Sequence, residues 1–268
     1  VAAKRSSAPP APSLTLWEYE GSPWCRRVRE HLCVLDLSCK IKPSPREALV
    51  FVPGPPVNEE GYMGPLSRHR GGVRECGGKL VFPFLWDASL SVGLNESAEI
   101  CRHLWRHYAK GVLPSFPRPS GSYNLAPSRS FGRKEDGALA PAGEVADSAL
   151  WSVLDVPTLI AASLVRPLPR HGVMLVPARE CMGEVTLYQH EGCAGSRELR
   201  EALSCLQIEY TSVPCAGGSA HSSPTGKVPC LHVEGGDASF CSDNVRECLS
   251  YLWGHATGKP VSPFNRPP

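Results

Sequence analysis

The chain has 268 residues, 42% hydrophobic and 20% charged, with a net charge of +2: the composition of a soluble globular protein, long enough for one large domain or two small ones. That charge gives no reason to expect nucleic acid or an anionic membrane as partner. The 12 cysteines are scattered without Cys-x-x-Cys or Cys/His spacing, which indicates neither a disulfide framework nor a metal site and favours reduced thiols in a reducing compartment.

Residues 1–13 form a lead-in. Val1 to Ser7 is basic, small and hydroxylated, with no acid before Glu18, as around a plastid transit-peptide cleavage site, with a mitochondrial one second. The alternative is a disordered tail. A first module is expected over 14–108. A strand-like run, Leu16 to Gly21, meets the turn Ser22-Pro23-Trp24-Cys25. A helix-like run follows through Val28, Leu32 and Leu35. Leu49–Val52 reads as a second strand, inside a loop rich in proline and glycine from Pro43 to Pro65. Proline in the apolar run Leu80 to Trp86 cannot donate to a ladder, and a cis bond before Pro83 accounts for it. Asn95-Glu96-Ser97 then opens a helix through Ile100, Leu104 and Tyr108.

Residues 109–183 read as a linker, rich in Pro, Gly and Ser from Pro114 to Gly143. Its apolar segment 149–165 is interrupted by Asp155 and Pro157 and is short for a membrane span; no other stretch reaches spanning length. It reads either as a helix packed across two modules or as a docking segment for a large organellar complex.

A second module is expected over 184–256, before a tail at 257–268. Leu187 to Gly192, then Cys193-Ala194-Gly195-Ser196, then Arg197, Leu199, Arg200, Glu201, Leu203 and Leu206 repeat the first opening at identical spacing. Each turn holds half of a dithiol motif: cysteine stands fourth in the first (Cys25, with Ser22 first) and first in the second (Cys193, with Ser196 fourth). Open N–H groups at a helix start favour an anion, so a cysteine there can hold a thiolate. Val228-Pro229 repeats the proline in an apolar run. Placing Ser242 on Ser97 sets Cys241 on Glu96, although a slip along the helix also matches Leu-Trp to Leu-Trp.

With these residues in view, both modules resemble the N-terminal, thioredoxin-like domain of glutathione transferases, and the tandem order is similar to a plant and algal plastid family. The resemblance implies an α/β chain of two tandem thioredoxin-like domains, each a mixed sheet flanked by helices with a cis-proline. It implies glutathione as the bound group, with protein thiols as other partners. Ser22 and Cys25, or Cys193 and Ser196, would meet the glutathione sulfur. Phe82 before Pro83, and Val228 before Pro229, would pair with its cysteinyl backbone. Glu96 and Ser97, with Ser242 in the second module, would hold its γ-glutamyl end. Three functions follow: a glutathione- or thiol-binding protein with little turnover, a retired accessory subunit of a photosynthetic membrane complex, and a transferase or monothiol oxidoreductase. Cys193 is the expected catalytic thiol; Cys25 reads equally as a packed one.

Overall fold

The computed structural model describes residues 13–45, 68–109, 183–235 and 239–257. The expectations for the tails, for a strand at Leu49–Val52 and for the segment 149–165 lie outside the described residues.

The first module runs β1 (Leu14–Glu18), α1 (Pro23–Val34), β2 (Cys39–Pro43), α2 (Gly71–Glu75), β3 (Phe84–Asp87), β4 (Val92–Asn95) and α3 (Ser97–Tyr108). The second runs β5 (Glu184–Gln189), α4 (Ala194–Cys205), β6 (Tyr210–Pro214), β7 (Cys230–Glu234), β8 (Phe240–Ser242) and α5 (Val245–Thr257). In each, the first strand pairs in parallel with the second and antiparallel with the third, which pairs antiparallel with the fourth.

The repeat holds in detail from Leu14–Pro43 to Val185–Pro214. The registers Leu16↔Ile41 and Leu187↔Ser212 are equivalent. Ser22 and Cys193 start their helices from nearly the same extended backbone, φ −80° and ψ 124° against φ −84° and ψ 125°. Both helices end two residues before a left-handed residue, Asp36 at φ 56° and Gln207 at φ 53°. The apolar side chains fall at helical spacing toward the sheet: Val28 and Leu32 in α1, Leu199 and Leu203 in α4, all buried. The peptide bonds Phe82–Pro83 and Val228–Pro229 are cis.

One sheet per module is the expectation from sequence, and the structure corrects it. The strands form a single eight-stranded sheet in the order β4-β3-β1-β2-β6-β5-β7-β8. The join is antiparallel, Cys39↔Ser212, Lys40↔Thr211 and Ile41↔Tyr210. The physical reason lies at the edges: β2 and β6 are each the outer strand of their own module, and pairing satisfies two rows of open N–H and C=O groups at once. The buried apolar cluster is correspondingly shared, running from Leu16, Leu85 and Ile100 to Leu187, Leu203 and Leu252.

Candidate functional site

The two turns share a backbone but not an environment. Ser22 is buried, and its Oγ accepts the Cys25 N–H at 3.3 Å, closing the cap of α1. Cys25 is 0% exposed. Burial, followed by the nearby Glu18 charge, pushes its thiol up to about 12. In the second module the order reverses. Ser196 is the sealed member, its Oγ accepting the His190 N–H at 3.3 Å. Cys193 is half-buried at the cap of α4, and its side chain closes no cap hydrogen bond. Its thiol nevertheless falls below the ordinary range. Partial burial raises it, but the Ser196 hydroxyl, the N–H groups of Ser196 and Gly195 and the charge of Arg200 together outweigh that and favour the thiolate.

Gly195 sets the approach of this turn to the cis-proline. A Cβ there would lie 2.8 Å from Val245 Cγ2, a clash, and 3.2 Å from Pro229 Cδ, a tight contact, so glycine lets the turn pack close against both. Cys193 opens onto a cleft of about 150 Å³ lined by Arg26 of the first module together with Glu191, Arg197 and Arg200.

The residues before the prolines are half-buried Phe82 and 37%-exposed Val228. Their N–H and C=O groups take no hydrogen bond among the described residues, so each leaves a backbone unit open to a ligand. Phe82 is held in place. Asn95 Nδ2 donates to the Lys79 and Val81 carbonyls at 2.9 and 2.8 Å, and the buried Arg70 guanidinium lies 4.6 Å from the Phe82 ring. Arg70 is itself tied to the Ser44 and Pro45 carbonyls, each at 3.1 Å.

At the start of α3, Glu96 is exposed with φ 68°, a left-handed conformation costly for a side chain with a Cβ. Its carboxylate makes no cap hydrogen bond. Ser97 beside it is buried. The second module departs from this, and the placement of Ser242 on Ser97 is corrected. The Cys248 N–H bonds to Asn244 O as the Ile100 N–H bonds to Glu96 O, so Asn244 and Val245 are the counterparts of Glu96 and Ser97. Ser242 lies at the end of β8, its Oγ donating to Glu247 at 2.8 Å. Asn244 takes the cap by accepting the Arg246 N–H at 3.1 Å.

Sequence reading missed the buried charges joining the two turns. Arg29 pairs with Glu18, with Glu20 at 2.9 Å and with Glu191 at 3.3 Å. Arg200 pairs with Glu20 at 3.0 Å and Glu191 at 3.3 Å, and donates to Gln189 Oε1 at 2.6 Å. Each arginine thus binds the acid of both modules. The available signal was the repeat itself, which places Arg29 on Arg200 and Glu20 on Glu191.

Residues 16–112 match the family model of the glutathione S-transferase N-terminal domain. No curated protein matches the chain. Among solved structures, the glutathione transferase URE2P8 of Phanerochaete chrysosporium, solved with oxidized glutathione, is similar at 16% identity and a TM-score of 0.26, over 58% of this chain and 63% of that one. Glutathione transferase Xi 1 of Trametes versicolor is similar at 17% identity and a TM-score of 0.24, over 56% of this chain and 57% of that one. TDR1 of Leishmania, a trimeric glutathione transferase, is similar at 14% identity and a TM-score of 0.28, over 94% of this chain and 68% of that one. The chain therefore spans 63% of the first of these.

Proposed function

We propose that this chain is a tandem thioredoxin-like protein that binds glutathione in its first module and carries one exchange-competent thiol, Cys193, in its second. The observation that carries the reading is the division between the turns: Cys25 is sealed, whereas Cys193 stands half-buried at the start of α4, beside the turn glycine that packs on cis-Pro229. Glutathione is assigned to the first module because residues 16–112 match a glutathione transferase N-terminal domain. The same module leaves the Phe82 backbone open and presents Glu96 to solvent in a strained conformation.

Turnover in this reading is small. Neither turn has a second cysteine, so exchange passes through a mixed disulfide of Cys193 with glutathione. The plastid residence read from residues 1–7 and the docking reading of 149–165 stay part of the proposal on sequence grounds. The accessory-subunit reading is favoured by one observation, the closure of both Ser22 and Cys25 in the first turn.

Thermal unfolding with millimolar glutathione tests the binding. Ligand at about a hundred times its Kd adds about 2.7 kcal/mol, so Tm should rise clearly in the native chain and much less in Glu96→Ala. No shift, or an equal shift in both proteins, overturns the glutathione site.

A further inference from the structure

We propose that Cys230 and Cys241 form a second thiol–disulfide site, a dithiol carried on two strands instead of in a turn. Their sulfurs lie 3.8 Å apart. Cys230 is buried at the start of β7, directly after cis-Pro229, and Cys241 is exposed in β8. The register Leu231↔Ser242 and His232↔Cys241 makes the two cysteines diagonal neighbours on one face of the sheet.

Bonding requires the sulfurs to close to about 2.05 Å. The displacement falls on β8, which has three residues and is the outermost strand of the sheet. A bond drawn across a diagonal by moving an edge strand is a strained, exposed disulfide, the kind that forms and breaks easily.

The substrate class is a low-molecular-weight dialkyl disulfide, RSSR. The exposed Cys241 thiolate attacks one sulfur of RSSR, forming Cys241–S–S–R and releasing RS⁻. Cys230 then attacks the Cys241 sulfur. The bond to the R-bearing sulfur breaks, and the second RS⁻ leaves with the Cys230 proton. Two protein thiols are oxidised by two electrons, and RSSR is reduced to two RSH. Burial and the adjacent Cys241 sulfur push the Cys230 thiol up to about 12, so Cys241 is the attacking member and Cys230 the resolving one.

The site lies against the proposed one. Pro229, which joins Cys230 to the turn, is the residue that Gly195 packs on next to Cys193.

The test uses the full chain and bis(2-hydroxyethyl) disulfide, which carries none of the groups that recognise glutathione, so its outcome is independent of the binding site proposed above. After reaction, free thiols are blocked by alkylation and the peptides are mapped without reduction. The expected result is a linked peptide pair joining Cys230 to Cys241 in the native chain, and a stable mercaptoethanol adduct on Cys241 in Cys230→Ala. The linked pair alone decides the matter should that variant not fold. A lasting adduct on Cys241 in the native chain, both thiols left free, or pairing of either with a third cysteine overturns the proposal.

Discussion

Glu18 and Gln189 occupy equivalent positions in the repeat, and the difference between them decides the charge of the buried cluster. Two guanidinium groups, Arg29 and Arg200, face Glu20 and Glu191, which balances. Gln189 adds no charge; an ionised Glu18 adds an uncompensated one. Burial, offset in part by Arg29 and reinforced by Glu20 and Glu191, raises the Glu18 carboxyl from 4.5 to about 7. The native state then holds a proton that the unfolded chain releases at a lower pH. The contribution of Glu18 is fully present below about pH 4.5 and is lost as pH rises through 7. Glu18→Gln is therefore expected to leave stability unchanged at pH 4 and to raise it at pH 8 by about 1–3 kcal/mol. Denaturant unfolding at the two pH values measures this. A variant less stable than the native chain at pH 8 would show that the ionised Glu18 carboxylate stabilises the cluster through Arg29, contradicting a raised carboxyl.

At the scale of elements, each module clasps the end of the other's first helix. Asp36, just past α1, accepts from Ser219 Oγ at 2.5 Å and from the Ala220 N–H at 2.8 Å, and its carbonyl lies 3.3 Å from His221 Nε2. Gln207, just past α4, accepts the Arg68 N–H at 2.7 Å on its side chain, and its carbonyl lies 3.0 Å from His69 Nε2. These are reciprocal contacts across an approximate two-fold axis through the β2–β6 join. Asp36→Ala removes both carboxylate bonds and leaves a residue with a Cβ at positive φ, so a loss of about 1–3 kcal/mol is expected. Asp36→Asn, which tolerates that backbone and keeps one acceptor, should recover part of it. Urea unfolding of the three proteins checks both, and a cost below about 0.5 kcal/mol for the alanine variant would mean the clasp contributes little.

The legible elements were those whose signal is local. The strand-turn-helix openings were readable because Ser22 and Cys193 stand between a strand-like run and a helix-like run. The prolines at 83 and 229 were readable because they interrupt apolar strands. β2 was missed although Cys39 and Ile41 alternate with Lys40 and Lys42, since a five-residue strand with two lysines is a weak pattern beside the apolar Leu49–Val52. Ser242 was misplaced because helical spacing in α5 tolerates a three-residue slip; the local cap of Asn244, with Glu247 three residues on, would have fixed it.

At the scale of the whole molecule, the fused sheet was beyond sequence reading, because nothing in a single edge strand names its partner. That fusion makes one body in which the first turn is closed and the second is open. The described helices include none long and apolar enough to cross a membrane. The claim that Cys193 is the working thiol of the two turns is tested most directly by alkylation of the folded chain with iodoacetamide at graded pH, read by peptide mass analysis. Cys193 should label below the ordinary thiol range of about 8.5, while Cys25 stays unlabelled until the chain unfolds. Labelling of Cys25 ahead of Cys193, or of neither in the folded protein, would contradict the account.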